Sequence, residues 1–248
     1  MVYSHYICYI IYTNMVELNT NFGVAAGDLI FMLDRGYPKS PSIDLVGDRY
    51  RLSRTERMLL YRGTFDAKSS LSRQEKLVEI DKVSESYLLI DGFNVLITIG
   101  SYLQGLFVFT ASDGYVRDVS EVYGNYRPDK STVRSLDLLA GFIGERKGST
   151  TVLLDKRMDA SSECASLIEK KAGRVPFPPE VLIEDALDRK LVELSCCAGG
   201  KPEAVVATSD TEVLDRVQKA CDIPCWIIEK RFKKIVFDLG SLIKTPVR

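Results

Sequence analysis

The stretch SYLLIDGFNVLITIG, residues 86–100, decides the fold class because an apolar run stops at Asp91 and then resumes. The residues before Asp91 are apolar on both faces, as in a strand buried within a parallel sheet. Asp91 therefore marks the edge of the sheet, which is where open parallel sheets bind their ligands. A structural role is the alternative, because Asp-Gly is a common turn and aspartate often caps a following helix.

Two further apolar runs also end in an aspartate. TTVLLD ends at Asp155, and AVVATSD ends at Asp210. Together with Asp91, these residues are expected to meet at one edge of a parallel sheet, where like charges repel unless a cation neutralises them. The recurrence favours a binding site over three unrelated helix caps.

A fourth acid is expected from PPEVLIEDALDRKLVELS, residues 178–195, which is predicted to be one helix with its prolines at the start. At about 100° per residue, Glu184 and Asp188 lie on the flank of the apolar stripe. Asp185 points roughly the opposite way. The helical phase therefore favours Glu184 and Asp188 as the acids of the site.

Strands alternate with helices throughout the second part of the chain. Helices are predicted over 92–103, 131–146, 161–173 and 211–220, a hairpin at Asp113-Gly114, and a last strand over CWIIEK, residues 225–230. This alternation predicts an α/β fold with a doubly wound, mainly parallel sheet.

The first part of the chain has a helical pattern from about 21 to 70. FGVAAGDLIFMLDRGY stops at a glycine followed by a proline, and the second of two later short helices opens with the capping box Ser53-x-x-Glu56. We therefore predict a small all-helical domain at 15–82 and the α/β domain at 86–248. Residues 3–14 are too short to span a bilayer, so no membrane contact is expected. Two interpretations of these residues remain: they form an extra strand, or translation starts at Met15 and they are not part of the protein.

The composition limits the possible chemistry. The net charge is −1, so any basic surface for nucleic acid must be local. Six cysteines form no CxxC pair, which favours reduced thiols, a cytoplasmic protein and no zinc. The single histidine, His5, makes a histidine base unattractive. Carboxylates select Mg²⁺ or Mn²⁺, and two such ions can activate water for phosphodiester hydrolysis without a side-chain base.

Three blocks, YLLIDGFNVLI, ALDRKLVEL and VVATSDTEVL, resemble those of the PIN-like nuclease superfamily, including its NYN branch. The resemblance covers about residues 86–230 and implies a doubly wound α/β fold, an acidic cluster that binds Mg²⁺ or Mn²⁺, and RNA cleavage in many members. The implied catalytic residues are Asp91, the first metal ligand, Asn94, its helper, Asp188, the helix acid, and Asp210, the acid after the late strand. The metal ligands expected from the resemblance and the helical phase together are Asp91, Asp155, Glu184, Asp188, Asp210 and, as an auxiliary, Glu212.

The chain departs from the superfamily pattern in two places. The hairpin at Asp113-Gly114 is not part of the common core, and Glu212 stands where many relatives have a second aspartate. Residues 26–63 resemble a helical domain of unknown function that accompanies PIN-like domains, chiefly in archaea. This second resemblance implies an origin and an architecture, and it implies no activity.

Cations near both parts of the chain are candidates for gripping phosphates. They are Arg49, Arg51, Arg54 and Arg57 in the helical part, and Lys156 and Arg157 directly after Asp155. A solvated helix face is the competing interpretation for the arginines of the helical part, and ordinary surface cations for the other two.

The leading hypothesis is a metal-dependent nuclease that acts on RNA, with DNA as the other possible substrate and a homodimer as an open option. The alternative is a non-catalytic RNA- or protein-binding module in which the acids only cap helices. A dinucleotide enzyme is disfavoured because no G-x-G-x-x-G follows the first strand. Phe93 stands where an aspartyl-phosphate enzyme would have a second aspartate, which argues against that class.

Overall fold

The computed structural model describes residues 6–11, 14–120, 128–196 and 203–243, with side chains from residue 18 onward. In chain order the strands are β1 (Tyr6–Ile11), β2 (Asn14–Asn19), β3 (Leu88–Asp91), β4 (Val108–Thr110), β5 (Val116–Asp118), β6 (Thr150–Asp155), β7 (Glu180–Glu184), β8 (Val205–Ala207), β9 (Ala220–Cys221) and β10 (Phe237–Asp238). The helices are α1 (Phe22–Leu33), α2 (Lys39–Arg49), α3 (Arg54–Gly63), α4 (Ala67–Lys76), α5 (Gly92–Leu103), α6 (Lys130–Gly144), α7 (Ser161–Ala172), α8 (Leu187–Ser195), α9 (Thr211–Leu214) and α10 (Ile223–Phe232).

The contacts divide the chain into two units that are not continuous in sequence. Unit 1 consists of Met1–Gln74, Gly105–Val119 and Val236–Arg248, and unit 2 consists of Glu75–Gln104 and Ser120–Ile235. None of the helices in the described ranges is both long enough and apolar enough to cross a bilayer.

Unit 1 is built on helices α1 to α3, and the predicted helical pattern of 21–70 is confirmed. The capping box is present, since the Ser53 hydroxyl accepts from the Glu56 amide and the Glu56 carboxylate accepts from the Ser53 amide. The prediction that this domain is all-helical was wrong, because β2 precedes α1 and pairs with β1. The prediction followed chain order and so left out β4, β5 and β10, which form a three-stranded sheet in this unit.

The core of unit 1 joins its helices to its sheet. Phe22, Leu29 and Leu60 pack with Phe109 of β4 and with Leu239, which follows β10. The predicted hairpin is confirmed, with β4 and β5 antiparallel and Gly114 at φ 85°, a conformation that favours glycine.

Unit 2 is a mainly parallel five-stranded sheet flanked by helices, as predicted. Its strand order is β7-β6-β3-β8-β9, and all four pairings are parallel. Strand β3 is fully buried at the centre of this sheet, which accounts for its unbroken apolar sequence.

Three predicted elements of unit 2 were wrong. The predicted helix over 178–195 is instead β7 followed by α8, and the predicted strand over 225–230 is part of helix α10. Asp222 begins α10 by accepting from the amide of Cys225, with a proline in the first turn. The predicted helix over 211–220 ends at Leu214, and β9 follows it.

Candidate acidic site of unit 2

The strand order of unit 2 reverses beside β3. After β3 the chain builds β6 and β7 on one side, and it then crosses to build β8 and β9 on the other. In open parallel sheets, ligands bind outside the carboxyl ends of the strands at such a reversal. Asp91 ends β3, and Thr208, Ser209 and Asp210 directly follow β8. The reversal therefore brings the first and last predicted acids to one crevice.

The strand register places three of the predicted acids on one face of the sheet. Asp91 of β3 lies opposite Leu153 of β6, and Asp155 is two residues further along β6. Asp155 in turn lies opposite Glu184. Since side chains alternate between the two faces, Asp91, Asp155 and Glu184 share a face. Glu184 reaches this edge as the end of strand β7 rather than through the helical phase that was predicted for it.

Asp91 is 4% exposed and is held by hydrogen bonds. Its Oδ2 accepts from the Thr208 hydroxyl at 2.8 Å, and its Oδ1 accepts from the Asn94 amide at 3.4 Å. Burial, together with the charges of Asp210 and Asp188, raises the pKa of Asp91 to about 7, although the two hydrogen bonds oppose the rise. Two of the other predicted catalytic acids are thus close enough to affect the charge of Asp91.

Asp188 connects the two sides of the crevice. It lies in the first turn of α8 and is half-buried. Burial raises its pKa, the charges of Asp210, Glu212 and Asp155 also raise it, and Arg157 lowers it. Asp188 is therefore close enough for acids at the end of β6 and after β8 to change its pKa. Glu212 itself is exposed.

Asn94 holds the turn after β8 in place. Its Oδ1 accepts from both the amide of Ser209, at 2.9 Å, and the Ser209 hydroxyl, at 3.1 Å. The Thr208 hydroxyl accepts from the Asp210 amide at 3.1 Å. Thr208 and Ser209 were missed in the sequence analysis. The signal for them was a pair of hydroxyl residues directly before the strand-end acid in ATSD.

The predicted phosphate-binding cations next to Asp155 both have acidic partners. Arg157 donates from Nε to both oxygens of Asp155 at 3.0 Å and from Nη2 at 2.6 Å. Lys156 Nζ lies 3.0 Å from Asp185 Oδ2, and both of these side chains are largely exposed. Asp185, predicted to lie outside the metal shell, thus has a surface partner.

Of the four arginines of unit 1 that were predicted to bind phosphate, one joins two helices and the other three are exposed. Arg57 donates to the carbonyl oxygens of Leu52 and Asp44 and pairs with Asp48 at 2.7 Å, so it ties α3 to α2. Arg49, Arg51 and Arg54 are exposed.

The acidic side chains have the right chemistry to bind Mg²⁺ or Mn²⁺, but they are not close enough together to coordinate an ion as they stand. Carboxylate oxygens are the ligands that these hard cations prefer. Within the described parts of the chain, no group of three or more histidine, cysteine, aspartate or glutamate side chains is placed so that it could hold a metal ion. Ion binding at this edge therefore requires the side chains to approach one another.

Two family models match this chain, one in its first part and one in its second. A family model described as "Domain of unknown function (DUF5616)" matches residues 80–226, and one described as "Protein of unknown function (DUF434)" matches residues 22–76. An uncharacterized protein of the archaeon Methanocaldococcus jannaschii is 27% identical over 212 residues, which are 85% of this chain and 98% of that protein. No solved structure gives a significant match.

Proposed function

The chain belongs to the family described as "Domain of unknown function (DUF5616)", and we propose that the acidic edge of unit 2 hydrolyses phosphodiester bonds of RNA with Mg²⁺ or Mn²⁺. The observation that carries the proposal is the link between the buried Asp91 and the backbone of Asp210 through one hydroxyl, that of Thr208, at the reversal of the strand order. The resemblance of the three sequence blocks to PIN-like nucleases supports the proposal, and we include a PIN-like fold for unit 2 in it.

The electrostatics also support the proposal. The charges of Asp210 and Asp188 disfavour the charged form of Asp91, and the charge of Asp210 also disfavours the charged form of Asp188. A divalent cation relieves such repulsion more effectively than a proton on one of the three, because it offsets two charges at once. The absence of a histidine base is compatible with this chemistry, since the only histidine of the chain is His5.

The residues of the crevice have distinct parts in the proposed reaction. A bound divalent ion supplies a more acidic water and neutralises charge on the departing oxygen. Asp91 at the end of β3, Asp210 after β8 and Asp188 in α8 are the residues that would hold the ion. Thr208 and Asn94 keep the two sides in register by hydrogen bonds, so the backbone positions of Asp91 and Asp210 are fixed before an ion or substrate binds. Arg157, which is 65% exposed at its side chain, can contact a phosphate while it stays paired with Asp155.

A binding module without catalysis is the second candidate, and the local geometry favours it in one respect. Asp91 accepts from the amide of Asn94 as the cap of α5, and Asp210 accepts from the amides of Glu212 and Val213 as the cap of α9. Asp155 is already paired with Arg157. These structural roles need no metal ion.

Cleavage of labelled single-stranded RNA separates the two candidates. The purified protein is incubated with Mn²⁺, Mg²⁺ or a chelator, with a DNA strand of the same sequence in parallel. We expect cleavage only with a divalent ion, reduced on the order of a hundredfold or more in Asp91→Asn and Asp210→Asn. Asp185→Asn is the matched control, because Asp185 is exposed and pairs with Lys156. Intact RNA that binds to the wild-type protein in Mn²⁺ would favour the binding module.

A further inference from the structure

The opposite edge of the sheet of unit 2, where the strands begin, also carries a cavity. This cavity of about 540 Å³ opens beside the start of β6 and β7. Its volume is within the range of small-molecule pockets. The side chains that define its chemistry are those of Tyr87, Thr151, Phe177 and Glu180. Strand β6 separates this cavity from Asp155 by its own length of six residues, so the cavity is distinct from the acidic crevice.

Hydroxyl groups form a hydrogen-bonded chain along one wall of the cavity. The Thr151 hydroxyl donates to Glu180 Oε2 at 3.2 Å, and it lies 3.0 Å from the Tyr87 hydroxyl. Because the Thr151 proton points to Glu180, the Tyr87 hydroxyl donates to Thr151. Glu180 is exposed, and no lysine or arginine of the described residues forms an ion pair with it. Its carboxylate therefore keeps acceptor positions for a ligand.

An aromatic ring also lines the cavity. Phe177 is 46% exposed, although large apolar side chains are usually buried. Pro176 and Pro178 flank it and line the same cavity. Each proline fixes its own φ, so the segment that carries the ring is stiff and loses little entropy when a ligand stacks on it.

We propose that this cavity binds a guanine base that stacks on Phe177 and donates its two adjacent N–H groups to Glu180. Guanine presents N1–H and the N2 amino group side by side, which matches the two oxygens of a carboxylate. Adenine and cytosine present a ring nitrogen acceptor on the same edge, and uracil presents carbonyl oxygens beside its N–H, so a carboxylate repels each of them. No lysine or arginine is among the residues known to line the cavity. The base, rather than a phosphate, is therefore the recognised group.

A guanidinium group is the competing ligand, because it is also planar with adjacent donors. The volume of the cavity favours the larger, two-ring base, and the Tyr87 hydroxyl, which donates to Thr151, keeps a lone pair that can accept from a ribose hydroxyl. A free nucleoside and a guanine within a strand present the same edge, so both are probed.

The test is isothermal titration calorimetry of the full-length protein with guanosine, inosine, adenosine, N-acetylarginine amide and the dinucleotide GpG. Inosine lacks only the N2 amino group. We expect binding of guanosine or GpG in the millimolar range or tighter, at least about fivefold weaker binding of inosine, and none of adenosine. In Glu180→Gln and Phe177→Ala, affinity should fall about tenfold or more.

Glu169→Gln is the matched control, since Glu169 is also an exposed glutamate of unit 2 but does not line the cavity. Circular dichroism of each variant establishes that it is folded. Tighter binding of N-acetylarginine amide than of guanosine overturns the proposal. Equal affinity for guanosine and inosine, no heat with guanosine or GpG up to about 10 mM, or unchanged affinity in folded Glu180→Gln overturns it as well.

Discussion

The Thr208 hydroxyl donates to Asp91 Oδ2 at 2.8 Å and accepts from the amide of Asp210 at 3.1 Å. A single side chain thus fixes a buried carboxylate at the end of β3 and the start of the turn that carries the next acid. Thr208 is itself 4% exposed, so no water can replace its hydroxyl without a rearrangement.

Thr208→Val should therefore lower both stability and the proposed nuclease activity. Valine has nearly the same shape but removes the donor to Asp91 Oδ2 and the acceptor of the Asp210 amide. We expect the free energy of unfolding to fall by about 1–3 kcal/mol, measured by urea denaturation. Thr208→Ser keeps the hydroxyl and should retain most of the stability. Equal losses in both variants would mean that the methyl group, and not the hydroxyl, matters.

Mn²⁺ should raise the melting temperature of the wild-type protein if the acidic edge binds it. A ligand that binds only the folded state stabilises it by about 2.7 kcal/mol at a hundredfold excess over its dissociation constant. Asp91→Asn should lose this effect, whereas Asp185→Asn should keep it. Differential scanning fluorimetry with and without a chelator measures the shift. A rise of the same size in Asp91→Asn would place the ion elsewhere.

The buried ion pairs of Asp113 should contribute strongly to the stability of unit 1. Asp113 is fully buried and accepts from Arg117 at 2.6 and 2.9 Å and from Arg73 at 3.2 Å. Asp113→Asn removes the negative charge between two buried cations, so we expect a loss of about 3–5 kcal/mol in urea denaturation. The control is Asp48→Asn, since Asp48 is 80% exposed and pairs with Arg57 at the surface. That variant should lose at most about 1 kcal/mol.

Two glycines should respond to alanine in opposite directions. A Cβ on Gly63 would lie 2.4 Å from Leu239 Cδ2 and 2.6 Å from Phe109 Cε2, both in the core of unit 1. Gly63→Ala should therefore cost about 1–3 kcal/mol. A Cβ on Gly141, inside α6, meets nothing within 4 Å. Gly141→Ala should stabilise the protein by up to about 1 kcal/mol. Chemical denaturation of both variants against the wild type tests this pair, and a stabilising Gly63→Ala would contradict it.

Lys39 should make stability depend on pH above neutrality. Its ammonium lies 3.9 Å from the centre of the Phe65 ring. Burial, followed by the charges of Arg117 and Arg73, lowers the pKa of Lys39 from 10.5 to about 7, while Asp113 and Asp66 oppose this. The folded protein then loses this proton near pH 7, whereas the unfolded chain keeps it to about pH 10.5. The free energy of unfolding should rise by a few kcal/mol between these values.

Lys39→Met removes the charge but keeps an aliphatic side chain against Phe65. We expect this variant to be at least as stable as the wild type at pH 7 and to lose the rise toward pH 10, measured by urea denaturation at each pH. Lys68→Met is the control, because Lys68 is exposed on α4. The prediction fails if all three proteins show the same dependence on pH.

The sequence predicts the centre of unit 2 well because burial there leaves a clear pattern. Strand β3 is buried at every position, so its apolar run has no competing interpretation. Strand β7 was missed because it lies at the edge of the sheet and its residues are exposed or half-buried. With prolines before it and acids within it, EVLIE resembles the first turns of a helix more than a buried strand.

The positions of some candidate acids could be predicted for the same reason. Aspartates at the ends of buried strands are visible in the sequence, whereas the approach of α8 depends on the path of the chain after β7. Residues 225–230 of helix α10 were predicted as a strand because Trp226 is aromatic and Ile227 and Ile228 are β-branched, although Asp222 followed by Pro224 was a helix start signal. Packing against neighbouring elements determines where α8 and α10 form, and a single sequence does not show which elements are neighbours.

The discontinuous composition of unit 1 affects how this protein can be cut and how it is made. On a ribosome, β4 and β5 emerge after the first segment of unit 2, and β10 emerges only after its second segment. The three-stranded sheet of unit 1 therefore cannot be complete while residues up to 235 are still being synthesised. A fragment that ends near residue 82 would lack all three of those strands, so its behaviour in isolation would not represent that of the intact unit.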